Sequence, residues 1–184
     1  MNYCRVTQAL SAHTDWSKIP ADVLEFAATR GTIVHGYCYL YALGEFIPFI
    51  RPDCQGYFDS FCRWYDLYVE ETIVAEQRFF DDTYGFCGIP DLLCRYKREE
   101  AGTLVDLKSP LATAPAWKLQ VAAYWHLLTS AGYDVARAGS LRLRQDGGIA
   151  IFDEYTPDLI VDLNVFFNAV AVHRFFHPNE GVVV

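Results

Sequence analysis

A chain of 184 residues is long enough to bury a core, and 52% hydrophobic with 16% aromatic residues argues against a disordered polymer. The formal net charge of −8 argues against a general nucleic-acid coat protein, which neutralises phosphates with surplus Lys and Arg. It leaves open an enzyme that binds nucleic acid locally, since carboxylates gathered on a divalent cation lose their net charge.

No apolar run reads as long enough to span a bilayer, and MNYCRVTQALSAHTDWS lacks the basic region and apolar core of a secretion signal. A cytoplasmic chain without a membrane partner is therefore expected. The six cysteines, Cys4, Cys38, Cys54, Cys62, Cys87 and Cys94, show neither a C-x-x-C pair nor a zinc spacing, so reduced and mostly buried thiols are expected.

Residues 1–20 read as irregular, with turn and capping residues from Ser11 to Ser17 and Pro20 as a close. His13, a lone histidine there, reads as merely exposed. A helix is predicted from about Ala21 to Leu43, with Val23, Phe26, Ala27, Ile33, Val34, Cys38 and Tyr41 on one face and Gly44 as its stop. Arg30 falls on that apolar face, which calls for a carboxylate partner or a break near Gly31. His35 lies at its margin, where a structural histidine is the simpler reading. A second helix is predicted from about Asp53 to Glu71, with Tyr57, Phe61, Trp64, Tyr65 and Tyr68 as core anchors.

Strands are predicted over Thr72–Phe80, which contains Glu76, over Tyr84–Tyr96, interrupted by Gly88 and Pro90, and over Thr103–Lys108. The polar turn Lys97–Gly102 makes a hairpin of the last two. A helix then runs to about Ser130 and is closed by Gly132. Ser140–Gln145 and Ile149–Tyr155 flank Asp146-Gly147-Gly148, a second hairpin signal. Thr156-Pro157-Asp158 reads as the start of a helix ending near Phe176. With no repeat and no linker, residues 1–184 read as a single α/β domain, a mixed central β-sheet flanked by helices.

The chemistry concentrates in the first hairpin. Antiparallel pairing about its turn brings Asp91 close to Asp106, and alternation puts Asp106 and Lys108 on one face with Leu107 on the other. Two facing carboxylates repel across a ladder, and a divalent cation between them removes that cost. Mg2+ suits such a site because it takes one or two carboxylates and leaves room for a substrate phosphate. A lysine two residues along the strand can stabilise charge on a reacting phosphodiester. Gln120 and Tyr124, four apart, share one helix face, although an ordinary amphipathic helix would show the same spacing.

Arg30-Gly-Thr-Ile-Val-His35, Glu76, Gly88-Ile-Pro-Asp91, Val105-Asp-Leu-Lys108 and Gln120-Val-Ala-Ala-Tyr124, in that order, resemble the PD-(D/E)XK nuclease superfamily and its RecB-like exonuclease branch. The match covers roughly residues 22–130. The resemblance implies a restriction-endonuclease-like core and a Mg2+- or Mn2+-dependent deoxyribonuclease acting on DNA ends. It implies Asp91, Asp106 and Lys108 as catalytic residues. It implies a metal held by His35, Asp91, Asp106 and the Leu107 carbonyl, with Glu76 as a weaker candidate. It implies Gln120 and Tyr124 as substrate-positioning residues, with Arg30 as a further candidate.

No cysteine follows Cys94, so the iron–sulfur cluster of some RecB-like nucleases is not expected. No helicase segment is present either, so an unwinding or recombination partner would be a separate chain. Arg137, Arg142 and Arg144, outside the motifs, are candidates for touching a DNA backbone. The competing reading is a catalytically inactive nuclease fold that binds nucleic acid or protein. Occupancy of all five motif positions favours activity, and the charge of −8 favours the competitor. A third reading, an unrelated α/β hydrolase whose carboxylates serve a different substrate, has no Ser-centred G-x-S-x-G to support it.

Overall fold

The computed structural model describes residues 2–11, 19–110, 112–178 and 180–183, so His13 lies outside the described residues. The chain opens on strand β1 (Asn2–Arg5) and the short helix α1 (Val6–Ser11), where the sequence predicts irregular structure. Cys4, Val6, Ala9 and Leu10 are all buried, but the run switches period within six residues, too short for either period to show.

Helices α2 (Ala21–Ala42) and α3 (Gln55–Tyr68) follow, and α3 passes without a loop into β2 (Val69–Ala75). Then come β3 (Phe79–Asp81), β4 (Phe86–Gly88), β5 (Leu92–Tyr96), β6 (Gly102–Lys108) and α4 (Ala116–Ser130). Strands β7 (Val135–Arg142) and β8 (Ile151–Glu154), a 3-10 turn (Thr156–Asp158), α5 (Leu159–Phe176) and β9 (Val182–Val183) complete the order.

The result is an α/β protein with mixed sheets packed against helices. One sheet has the order β2-β5-β6-β7-β8, antiparallel except for the parallel pair β6–β7, which α4 connects. The other has the order β3-β4-β1-β9, with β1 parallel to β4. Two predicted strands are thus each two strands in different sheets. The chain leaves the larger sheet after β2 and re-enters it at β5. Glu76, at φ 45°, turns it out, and Pro90, which has no N–H for a ladder, precedes its return.

Helices cover both faces of the larger sheet, so its strands are apolar on both sides. Leu92, Cys94, Val105, Leu107 and Leu141 pack with Val34 and Cys38 of α2 and Tyr57, Phe61 and Trp64 of α3. Leu93, Leu104 and Ala138 pack oppositely against α4 and α5, through Val121, Ala122, Leu127, Leu163 and Phe166. Each large side chain so buried stabilises the fold by about 1.5–3 kcal/mol. Because Leu104 faces α4, period-2 alternation sends Asp106 and Lys108 to the α4 side and Leu107 to the α2 side.

Only the second half of α2 packs as predicted. Val34 and Cys38 are buried, whereas Val23 and Phe26 are exposed. The helix is continuous through Gly31, and Arg30 finds rings rather than a carboxylate: its guanidinium lies 4.9 Å from the Tyr57 ring centroid and 5.6 Å from that of Phe26. The second hairpin forms around Asp146-Gly147-Gly148, with Gly147 at φ 73°, but its first strand is Val135–Arg142 rather than Ser140–Gln145, and the pairing stops at Arg142 and Ile151, short of the turn. The predicted helix start at Thr156 is the 3-10 turn, and the Thr156 hydroxyl accepts the Ala138 N–H at 3.0 Å instead of capping.

The helical stretch Thr156–Phe176, 21 residues, is long and apolar enough to cross a membrane by length and composition, contrary to the expectation from the sequence. Its Leu159, Leu163, Phe166, Ala169 and Val170 are nevertheless core residues. All six cysteines are free thiols, and only Cys62 is not fully buried. Burial pushes the Cys4 thiol up to about 11 and that of Cys62 to about 12.

Candidate metal centre

The β5–β6 register pairs Leu92 with Val105, and one further step sets Asp91 opposite Asp106. Asp91 stands just outside the strand, where the chain returns from the smaller sheet. Its backbone carbonyl accepts the Glu76 N–H at 3.2 Å, tying the two crossing points together. A non-glycine residue in the left-handed region is uncommon and costs about 1–3 kcal/mol, a cost met most often at functional sites.

The Asp91 carboxylate is held from both sides. Its Oδ2 accepts the Leu107 N–H at 2.7 Å, and its Oδ1 lies 3.4 Å from His35 Nδ1 on α2. Glu76 completes a trio. One ligand atom from each of His35, Glu76 and Asp91 lies within 4.8 Å of the others. A cavity lined by His35, Glu76, Asp91 and Leu107 has room for about one water-sized sphere. Glu76, the weakest sequence candidate, is thus among the three drawn together.

Asp106 stands beside this trio rather than in it, on the α4 side. It is fully buried, and its Oδ2 lies 2.7 Å from Lys108 Nζ and 3.5 Å from the Ser140 hydroxyl, which donates to it. Its Oδ1 is buried with no hydrogen-bond partner. An unpartnered buried carboxylate oxygen is costly, and a cation is a natural partner for it.

Lys108 is fixed at its other side as well. Its ammonium donates to Gln120 Oε1 at 3.1 Å and lies 5.7 Å from the Trp117 ring centroid. Gln120 Nε2 donates in turn to the Tyr124 hydroxyl at 3.1 Å. Gly88 belongs to the same construction, because a Cβ there would stand 2.6 Å from Tyr124 Cε1.

The electrostatics separate the two aspartates. Burial pushes the Asp106 carboxyl up to about 6 and Asp91 adds to the rise, against the pull of Lys108. Burial also works against the Asp91 carboxylate, but His35, Lys108 and the Leu107 N–H together hold it below its ordinary value. His35 is its counterpart: burial opposes the imidazolium, and Asp91 and Asp106 still raise it. Partial burial, then Asp91, pushes Glu76 up. The expected repulsion between facing carboxylates therefore falls on Asp106 alone, because Asp91 has its own donors.

The donor set of one imidazole nitrogen and carboxylate oxygens fits Mn2+ or Mg2+, and Asp106 Oδ1 supplies an oxygen nothing else uses. Arg30 reaches only aromatic rings among the contacts above. The three arginines considered for DNA contact are each engaged. Arg137 pairs with Glu154 at 3.0 Å and Glu99 at 3.3 Å, Arg142 pairs with Asp153, and Arg144 pairs with Asp146 at 2.6 Å. Ser140 carries no functional signal in the sequence and meets Asp106 only because β7 lies parallel to β6 with these two residues in register. No protein-family model matches the chain, and no curated protein matches it.

Proposed function

We propose that this chain is a metal-dependent deoxyribonuclease of the PD-(D/E)XK type, with a restriction-endonuclease-like core and RecB-like character, hydrolysing phosphodiester bonds at DNA ends. The observation that carries the reading is one convergence. His35 of α2, Glu76 just after β2 and Asp91 just before β5 share a 4.8 Å locus beside the buried, unpartnered Asp106 Oδ1 and a clamped Lys108. Chance motif matches would have no reason to meet.

In this reading His35, Glu76, Asp91 and Asp106 would hold Mg2+ or Mn2+, with the Leu107 carbonyl as a further candidate. The bound cation supplies Lewis-acid polarisation of the phosphodiester and activation of water. Lys108 has little freedom: Asp106 and Gln120 hold its ammonium from two directions, so it acts as a fixed positive group aimed at charge developing on the phosphate. Gln120 and Tyr124 position Lys108, which refines their expected role of positioning substrate. His35 and the Leu107 N–H orient Asp91. The strand being cut, and any separate helicase or recombination partner, approach from outside this cluster.

The test is incubation of the purified chain with linear duplex, circular and single-stranded DNA in Mg2+, Mn2+ or EDTA, beside Lys108→Ala. Metal-dependent degradation is expected, with a loss of about 10²–10³-fold in the variant. Linear-only cleavage assigns an exonuclease, and cutting of circles an endonuclease. Equal activity in EDTA, or a fully active variant, removes the mechanism. The net charge of −8 favours a second reading, an inactive binding module, which predicts binding without degradation in every metal.

A further inference from the structure

A second feature lies on the other side of Tyr124. A cavity of about 240 Å³ is lined by Arg5, Arg78, Cys87, Gly88, Ile89 and Tyr124, among others. Its two arginines come from the strands flanking β4. Arg5, at the end of β1, is the register partner of Cys87, and Arg78 immediately precedes β3, whose Phe79 pairs with Gly88. Strand β4 therefore passes between two guanidinium-bearing positions and continues through Ile89 and Pro90 to Asp91.

Neither guanidinium has an ion pair or a hydrogen bond to a carboxylate among the described residues, and both residues are exposed. Arg51, Arg95, Arg137, Arg142 and Arg144 have acidic partners, whereas Arg5 and Arg78 have none among the described residues and line one cavity together. Both cations also act on the Cys87 thiol, lowering its pKa against the effect of burial, so they converge on one place. Tyr124 is the shared wall. Its ring packs on Gly88 at this cavity, and its hydroxyl accepts from the Gln120 that holds Lys108.

We propose that this cavity is a phosphate subsite, in which Arg5 and Arg78 hold a non-scissile phosphate of the nucleic-acid strand whose neighbouring phosphodiester lies at the Asp91/Asp106 carboxylates. The inference rests on the nuclease reading and extends it to substrate engagement. A guanidinium matches a phosphate bidentately, and two unpaired ones beside an acidic centre counter the repulsion between that centre and the strand. Such a grip needs no base contact, so it is independent of sequence. A strand-internal phosphate, a terminal phosphate and free inorganic phosphate share this chemistry.

The experiment is steady-state cleavage of labelled single-stranded DNA in Mn2+ by the full chain and by Arg5→Ala, Arg78→Ala, the double variant and the conservative Arg5→Lys/Arg78→Lys pair. The substrates are a 5′-phosphorylated oligonucleotide, the same oligonucleotide with a 5′-hydroxyl, and a circle. The double alanine variant is expected to raise KM at least tenfold on a bound class of substrate, to leave kcat within about threefold, and to flatten the salt dependence by roughly 0.7 per lost contact. The lysine pair should recover part of the loss. An effect confined to the 5′-phosphorylated arm assigns a terminal phosphate, and an effect on all cleaved arms an internal one.

Unchanged KM and salt slope in a chain that does cleave DNA overturn the subsite and leave the nuclease reading intact. Inorganic phosphate that shifts the Arg5 and Arg78 side-chain resonances of the wild type, with KM unchanged in the variants, overturns it as a free-anion site. A wild type that cleaves nothing in any metal overturns both readings.

Discussion

Among the described residues two partly buried Asp–His pairs stand out, and they differ in what is left over. Asp81 at the end of β3 meets His126 of α4 at 2.7 Å through Oδ2, and its Oδ1 accepts the Tyr84 N–H at 2.6 Å. The His126 ring is packed among Tyr84, Phe86 and Phe167. Every strong acceptor there is used, and the arrangement fastens the smaller sheet to α4. At the other site His35 stands 3.4 Å from Asp91, Glu76 joins them in a strained backbone conformation, and Asp106 keeps one buried oxygen without a partner. The same residue types thus build a closed joint in one place and an open one in the other. An open joint costs stability and is retained where a further ligand completes it.

Removing one member of each pair should separate the two regions most sharply. Asp91→Ala is expected to weaken Mn2+ binding, followed by calorimetric titration, by roughly 100-fold or more. His126→Ala should leave that affinity unchanged and instead lower stability by about 2 kcal/mol, seen as a Tm drop of roughly 5 °C. Loss of metal binding in His126→Ala would remove the distinction. In the wild type, Mn2+ at about 100 times its Kd should add roughly 2.7 kcal/mol of stability, and Asp91→Ala should lose most of that gain.

The next effect is one of sign. In EDTA at pH 7, Asp106→Asn is expected to stabilise the chain by up to about 2 kcal/mol, and Asp91→Asn to destabilise it. Asp106 is raised to about 6 in the folded state, so its contribution is fully present below about pH 4 and is lost as pH rises through about 6. The gap between wild type and Asp106→Asn should therefore close on acidification from pH 7 to pH 4. Asp91 is held low, so its contribution is present above the ordinary carboxylate range and fades as pH falls. Urea titrations of both variants across that window check the two signs, and a shared sign would mean that the aspartates are equivalent.

The smallest effect belongs to the satisfied surface. Arg144→Ala breaks an exposed pair with Asp146 and should change stability by less than about 0.5 kcal/mol. It should leave the KM for DNA unchanged, in contrast to Arg5 and Arg78. A rise in KM would restore the hairpin arginines as DNA contacts.

Much of the larger sheet was legible because its signals are local. The turn at Lys97–Gly102 and the alternation through Asp106-Leu107-Lys108 fix a register and two faces, and the structure has both. The four-residue spacing of Gln120 and Tyr124 likewise gave a shared face, and they do bond to each other. What was not legible is non-local. The exchange between sheets at Glu76 and Pro90 looks in sequence like two long, slightly irregular strands. The pairing of β1 with β4 joins segments about eighty residues apart, which no period announces. Ser140, Arg5 and Arg78 reach their sites only through such pairings. His35 drew attention through the resemblance alone, since a histidine at a helix margin has no period of its own.

In the proposed site one divalent cation is shared by His35, Glu76 and Asp91 next to Asp106. Diffraction from crystals grown with Mn2+, recorded for anomalous scattering, tests it most directly. A single strong peak is expected within coordination reach of His35, Asp91 and the Asp106 oxygen that now lacks a partner, reduced to background in Asp91→Ala. A peak bound elsewhere, or none at saturating Mn2+ in a correctly folded chain, would contradict it.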